Sequence, residues 1–590
     1  MTVKREICPG EGMPVFTAET DENVEELRIL PAGGEDGIEL FKIQVRFGKA
    51  GVCSPVRLTW HAHMKGLLNF WCPTSRTDHT LRQWYAARKC ESRFYEGAPV
   101  ISVFRNGGEN YMTCAVSEAE LPVTLSASVN DFDEKEELDF RLVFFEKAVP
   151  AEAEYALTLR LDRRALPFTD CVGDTVLWWR GFYPNDRQAG GTCDRPMYST
   201  WYSFHQNPQQ TSLEKEVDLA ADLGLKALII DDGWSYPGPG TGDYINCGTW
   251  HVEESKFPDF RAFTEYAHKK GLKVALWFPV PFVGKNNPDY ARFADKLVCY
   301  SDRFSAGILD PRYPEVRAYI VDGYRKMAEE YGIDGLKLDF IDVLRYAPFA
   351  GGVFPACEGG DCETLEEAIA VLLGEVERAF RAEDPDFLIE FRQNYVGPSI
   401  TRFCNMLRVD DCAFDSFSNR LGMADLRMMN YPLAVHADMF LWAHDEEPRE
   451  CARMLLNSLF EVPQISVRLA SSTPDQLRVI RNYVSYWDDH RELLLHARIH
   501  VTDPECDYTS VSAEDETLRI TCVYVQRPVR ADGKPHDVFN ASDEDVLYVD
   551  AAFPARYMVY DCFGDRISDG VLPQGLNRIA VPAGGRLEIR

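Results

Sequence analysis

Apolar and polar residues alternate in short stretches along the first part of the chain. Examples are Phe41-Lys42-Ile43-Gln44-Val45-Arg46-Phe47 and Leu138-Asp139-Phe140-Arg141-Leu142-Val143-Phe144. Period two sends successive side chains to opposite faces, which suits a half-buried strand and not a helix. Gly, Pro, Asn and Asp break the stretches, and no long amphipathic helix interrupts them, so residues 1–170 predict a β-sandwich. The same texture returns over 498–590. There Leu518–Val525 and Gly585–Arg590, with turns at Asp532-Gly533 and Ala583-Gly584-Gly585, predict a small antiparallel β-domain.

Between them, after a linker expected over 171–196, the pattern changes. Apolar, β-branched runs alternate with helical stretches: Met197–Tyr202, Leu225–Ile230, Leu272–Trp277, Ile333–Asp339, Phe387–Phe391, Met406–Val409, Leu433–His436 and Gln464–Arg468. One helix is expected to open on a capping box of Thr211 and Glu214, and others over Glu315–Tyr331, behind Pro314, and around Glu363–Ala382. Eight such units across residues 197–495 fit a (β/α)8 TIM barrel better than an open doubly wound sheet. No Gly-rich phosphate motif follows the first strand, which disfavours a nucleotide site.

Composition narrows the picture. At 590 residues the chain is too long for one core, and 45% hydrophobic with 26% charged residues marks it as globular. The net charge of −30 disfavours nucleic acid and anionic membranes as partners, and no apolar run approaches the roughly 18 residues of a spanning helix. The N-terminus carries no apolar leader pattern, so a cytoplasmic location is expected, with the 17 cysteines reduced.

Barrel enzymes carry their chemistry at the C-terminal ends of strands. The second strand ends in Asp231-Asp232-Gly233-Trp234, either a capped or ion-paired loop or a binder of sugar hydroxyls or metal. The third ends in Trp277, a core residue or a sugar-stacking wall. On the fourth, Lys337 and Asp339 share a face, and a lysine beside an aspartate keeps it ionised, as a glycosyl nucleophile must be. The sixth ends in Arg408-Val409-Asp410-Asp411, whose carboxylates are either a solvated pair or the partner of Asp339 across the mouth. The fifth strand adds Glu390, Arg392 and Gln393. The seventh adds His436 and Asp438, for which no further metal ligands stand at plausible spacing.

These motifs together resemble glycoside hydrolase family 36 of clan D, the α-galactosidase-like enzymes. Leu228–Trp234 resembles the DDGW signature. Gly248-Thr249-Trp250 through Lys256-Phe257-Pro258 resembles the G-(D)-W…K-F-P stretch, and Gly271–Lys273 with Leu276-Trp277 resembles G-M-K…L-W. Gly335–Asp339 resembles the K-x-D strand, and Arg408–Asp411 resembles R-x-S-D. Order and spacing agree over roughly residues 195–470.

The resemblance implies a retaining exo-α-glycosidase working by double displacement on a small-molecule or oligosaccharide substrate, with no cofactor and no metal. Asp339 would be the nucleophile and Asp411 the acid/base, with Asp410 its rival by strand alternation. Asp231, Asp232, Trp277, Lys337, Arg392, Arg408, Trp250, His436 and Asp438 would surround the sugar. Similar enzymes commonly form homo-oligomers, and no feature here fixes a number. Two departures bear on specificity: Ile341 replaces the asparagine of K-x-D-x-N, and Arg392 occupies the turn where the family's C-x-x-G cysteine meets the sugar's C2. The alternatives are a transglycosylase of the raffinose-synthase kind and a non-catalytic carbohydrate-binding barrel.

Overall fold

The computed structural model describes residues 2–590 apart from 133–134, 147–151, 186–189, 236–242, 249, 347–356 and 431–432. Its N-terminal part is two six-stranded antiparallel sheets, running Val3–Ile7, Phe16–Thr20, Val56–His63, Glu137–Phe144, Val123–Asn130, Arg88–Ser92 and Val24–Pro31, Ile38–Phe47, Glu154–Asp162, Asn110–Val116, Val100–Arg105, Leu68–Trp71. The alternation read from the sequence is the alternation of burial. Phe41, Ile43, Val45 and Phe47 are buried while Lys42 and Arg46 face solvent. Phe140 lies opposite Trp60 with the rings stacked 5.8 Å apart, a cross-strand pair of the kind that fixes register.

The middle of the chain forms an eight-stranded parallel sheet. Its strands are β1 (Met197–Ser199), β2 (Ala227–Ile230), β3 (Lys273–Pro279), β4 (Gly335–Asp339), β5 (Leu388–Arg392), β6 (Met406–Arg408), β7 (Ala434–His436) and β8 (Gln464–Ile465). β1 pairs with β8, and bridges from His436 to Val462 and from Phe440 to Ile465 draw the remaining edges together into a barrel. β7 and β8 are shorter than the sequence suggests, because the chain closes the barrel there through isolated bridges rather than a full ladder.

Three helices show how the sequence sets its boundaries. α1 (Gln210–Asp222) lacks the expected capping box. It begins two residues earlier, with Gln209 as N-cap, and there the Gln210 backbone N–H donates to Lys256 O at 2.9 Å and the Gln210 amide reaches Glu214. α2 (Pro314–Tyr331) has proline in its first turn and ends on Gly332 in the left-handed region. α3 (Leu365–Phe380) is capped by Thr364. The segment expected as a linker begins inside a further helix, Phe168–Trp179, whose Phe168, Val172 and Trp179 are buried in the core shared with the barrel; residues 186–189 of that segment lie outside the described residues.

Residues 499–589 form sheets of seven and three strands. Most pairings are antiparallel, but Arg519–Val523 with His536–Asn540 and Pro528–Ala531 with Leu547–Ala551 run parallel. The three regions meet at buried Asp425. It accepts from Trp71 Nε1 of the sandwich at 2.8 Å and from the Tyr508 hydroxyl of the C-terminal region at 3.1 Å. All 17 cysteines are unpaired, and among the described residues no helix is long and apolar enough to cross a membrane.

Candidate active site

Deep in the barrel mouth, acidic groups from neighbouring strand ends converge on one cation. Lys337 of β4 lies in register between Trp277 of β3 and Glu390 of β5. Its ammonium donates to Asp231 Oδ2 and stands 4.0 Å from Glu390 Oε1. All three are buried, where an unpaired charge costs several kcal/mol, so each is tolerated only with the others. Burial pushes the Glu390 carboxyl up against the pull of Lys337 and Arg408, and Gln464 Nε2 donates to it at 2.6 Å.

The Asp231–Trp234 motif is built by close approaches that only these residues allow. Gly233 takes a φ of 97°, and a Cβ there would lie 2.4 Å from the Gln206 backbone. Lys256, from the K-F-P stretch, donates to the carbonyls of Gln206 (2.8 Å) and Gly233 (2.6 Å), pinning both loops. Trp234 Nε1 donates to Trp277 O at 2.8 Å, tying the turn to β3. The turn presents Asp232, whose Oδ2 accepts from Gln206 Nε2 at 2.6 Å and whose buried Oδ1 has no hydrogen-bond partner among the described residues. Burial pushes this carboxyl up to about 7, opposed by Gln206 and helped by the charge of Asp231. A carboxyl oxygen held dry without a partner suits a ligand hydroxyl.

One layer outward stands Asp339. Its Oδ1 accepts from Arg392 Nε at 2.6 Å and from the Phe340 backbone N–H at 2.7 Å, and its Oδ2 accepts from Trp277 Nε1 at 3.0 Å. Burial opposes its ionisation, but Arg392 and Lys337 outweigh burial and hold it well below the usual carboxylate range. Trp277 faces this site and stacks on Tyr244 at 5.9 Å, with Phe340 edge-on at 6.2 Å, so three aromatic rings border the carboxylate.

The sixth-strand pair is more open. Asp411 is 59% exposed and accepts from Arg408 NH2 at 2.8 Å; burial would raise its pKa, but the guanidinium lowers it below the ordinary aspartate value. Asp410, 23% exposed, turns instead to Arg76 of the sandwich at 2.6 Å, with Arg392 at 3.5 Å. The resemblance to R-x-S-D and strand alternation favour different members of this pair. The structure puts Asp411 on the arginine and Asp410 against the sandwich, because the strand ends at Arg408 and alternation no longer applies.

Three expected sugar-binding residues do not reach the site. Trp250 packs behind β3, 5.0 Å from Phe278 and 6.0 Å from Tyr324, in space left by Gly323, where a Cβ would strike it at 2.5 Å. The neighbouring Thr249 lies outside the described residues. His436 is fully buried, with Nε2 2.8 Å from Cys193 O and Nδ1 3.3 Å from Gln464; burial pushes it down to about 4, so it is neutral and structural. Asp438 accepts from Arg408, the Tyr202 hydroxyl (2.7 Å) and the Cys412 N–H (2.6 Å), which leaves it as a support for the sixth strand end. His436 and Asp438 therefore do not converge, and among the described residues no group of three His, Cys, Asp or Glu is set to hold a metal.

Sequence reading missed Gln206, Thr200, Tyr202, Tyr244, Phe340 and Arg76. Thr200 Oγ1 accepts from the Asp231 N–H at 2.9 Å; it lies inside the first apolar run of the sequence and just past the end of β1. Arg76 comes from a domain far away in sequence, and nothing local marks it.

Residues 192–348 match the family model described as Melibiase. α-Galactosidase Mel36A of Lactobacillus acidophilus is 29% identical over 149 residues, 24% of this chain, and α-galactosidase 1 of Pediococcus pentosaceus is 28% identical over 153 residues, 25% of this chain. The chain spans about a fifth of the length of these curated relatives in those matches. In fold the likeness is longer. The family 36 α-galactosidase AgaA of Geobacillus stearothermophilus superposes with a TM-score of 0.62 at 12% identity over 98% of this chain and 83% of that one, and the α-galactosidase of Lactobacillus brevis with 0.61 at 13% over 100% and 83%. Residues 192–348 thus resemble the Melibiase family, within a chain that has the fold seen in the solved family 36 α-galactosidases.

Proposed function

We propose that the protein is a retaining exo-α-glycosidase that removes terminal α-galactosyl or closely related units. The observation that carries this reading is Asp339: an ionised carboxylate at a barrel strand end, bordered by Trp277, with Asp411 on Arg408 as the second acid of the pair. Asp339 attacks the anomeric carbon while Asp411 gives its proton to the leaving oxygen; water, deprotonated by Asp411, then releases the sugar. Asp232 Oδ1, Asp231 and Lys337 receive the sugar's hydroxyls at the floor of the mouth. Structures of the Geobacillus enzyme's variants in complex with raffinose and stachyose support an oligosaccharide as the substrate class.

The test is hydrolysis of a panel of aryl α-glycosides (galactoside, N-acetylgalactosaminide, glucoside, uronides and arabinopyranoside) by the wild type, Asp339→Ala and Asp411→Ala, with and without chelator. Activity on one sugar, unaffected by chelator and reduced at least about 10⁴-fold in Asp339→Ala, is expected. Activity that survives loss of Asp339 sinks the reading. Adding sugar acceptors separates hydrolysis from transfer. Arg408 holds Asp411 below the ordinary aspartate value, so its proton is already scarce at neutral pH; kcat/KM for an alkyl glycoside is expected to be highest in acid and to fall towards neutral pH more steeply than for a nitrophenyl glycoside, whose leaving group needs no proton.

A further inference from the structure

Arg392 occupies an unusual position. It is 16% exposed, and its guanidinium touches three carboxylates: Asp339 through Nε at 2.6 Å, Asp342 through NH2 at 3.2 Å and Asp410 through NH1 at 3.5 Å. NH1 also donates to Gln393 O at 2.8 Å, and the cation lies 5.9 Å from the Phe340 ring and 5.7 Å from that of Tyr395. Tyr395 is itself fixed by its hydroxyl on Leu338 O at 2.6 Å. An arginine so occupied is not a free receptor for a substrate carboxylate. Its fork is spent on the protein's own acids, with Asp342 and Asp410 holding it in place and Asp339 as the partner whose charge changes during the reaction.

We infer that Arg392 is a positioning residue that holds Asp339 as a free carboxylate and thereby favours breakdown of the glycosyl-enzyme over its accumulation. The inference rests on the double-displacement reading above. In the second step a water oxygen bonds to the anomeric carbon, its proton passes to Asp411, and the bond from that carbon to the Asp339 oxygen breaks with its electron pair returning to Asp339. The carboxylate is the leaving group of this step, and the Arg392 contact strengthens as its charge appears. The same contact makes Asp339 a weaker nucleophile in the first step. Arg392 therefore shifts the balance between the two steps while the three-carboxylate seat keeps it from following the substrate.

Two readouts test this on the full chain. The first is a tryptophan-fluorescence titration from about pH 6 to 3.5 of the wild type and Arg392→Met, each with and without Trp277→Phe. The Trp277-dependent signal follows Asp339 because that indole donates to its Oδ2. The expected result is no Trp277-dependent transition in the wild type and one at or above about pH 4 in Arg392→Met, near the ordinary aspartate value. The second is kinetics on the best aryl glycoside of the panel. Arg392→Met is expected to lower kcat about tenfold or more with kcat/KM changed less than about threefold, to show a burst of released aglycone, and to yield a glycosylated Asp339 peptide by mass spectrometry; Arg392→Lys recovers part of kcat. Identical titrations in both chains overturn the inference, as does an equal fall of kcat and kcat/KM without trapped intermediate. If Arg392→Met does not fold, Arg392→Lys serves, with changes of the same sign and smaller size expected and their absence counting against the inference. A wild type inert on the whole panel sinks the glycosidase reading and the kinetic half with it, while the titration still decides whether Arg392 holds Asp339 ionised.

Discussion

Two pairs of adjacent aspartates stand at the ends of strands two and six, alike in sequence and opposite in surroundings. Asp231 and Asp232 are buried, the first held by Lys337 and the second by Gln206, and among the described residues one carboxyl oxygen of Asp232 has no partner. Asp410 and Asp411 are partly open to solvent, and each has an arginine of its own. Burial raises Asp232 to about 7, whereas its arginine takes Asp411 below the ordinary aspartate value. The same dipeptide thus becomes a dry, buried pair at one strand end, suited to the hydroxyl-binding role proposed for it, and a half-open pair at the other, suited to the proposed proton transfer. The difference lies in depth and in which cation arrives, not in the residues themselves.

The largest effect that tests this contrast lies within the open pair. Asp411→Asn is expected to lower kcat/KM on an alkyl α-galactoside about 10²–10⁴-fold, the usual worth of a general acid, and Asp410→Asn less than about tenfold. The reverse order would transfer the acid/base role to Asp410 and make Arg76 part of the chemistry.

The next two belong to the buried pair. Lys337→Met leaves Asp231 and Glu390 without their shared cation, and a loss of about 3–5 kcal/mol in unfolding free energy by denaturant titration is expected. A loss below about 1 kcal/mol would mean that water reaches the floor and that the two pairs differ less than their burial implies. Asp232 supplies a pH test with a definite sign. Its folded pKa stands above its unfolded one, so the folded state holds the extra proton between about pH 4 and 7, and stability is greatest below that window and falls as pH rises through it. Asp232→Asn is expected to remove about 2–4 kcal/mol of that fall, read as a flatter melting temperature from pH 4 to 7.

How much of this was legible in the sequence divides along the same line. Period-two stretches such as Phe41–Phe47 and the eight apolar runs sufficed for the sandwich and barrel, because burial of one face leaves few alternatives. Lys337, Asp339 and the two aspartate pairs could be picked out as candidates because strand ends are where a barrel puts chemistry, and the structure brings them to the barrel mouth. Trp250 and His436 misled, since a tryptophan packed behind a strand and a histidine closed inside the barrel are written with the same letters as ligands. Gln206 and Arg76 were invisible. The first reaches Asp232 only because Gly233 and Lys256 bring two loops together, and the second arrives from another domain, so neither contact has a local pattern.

Arg76 gives the smallest effect and the cleanest counterpart to Lys337. Both are the cation of an aspartate pair, and both stand within hydrogen-bonding reach of one carboxylate oxygen. Lys337 is buried, but the Arg76 side chain is 62% exposed, where solvent and salt screen the pair and little is lost by breaking it. Arg76→Ala is therefore expected to change unfolding free energy by less than about 0.5 kcal/mol, and less still at high salt. What it removes is the hold on Asp410 from the sandwich side, so any effect on catalysis should fall on KM for substrates with long leaving groups rather than on kcat. A destabilisation comparable to that of Lys337→Met would show that the sandwich and barrel are locked through this one contact, and the sixth strand end would then be as rigid as the second.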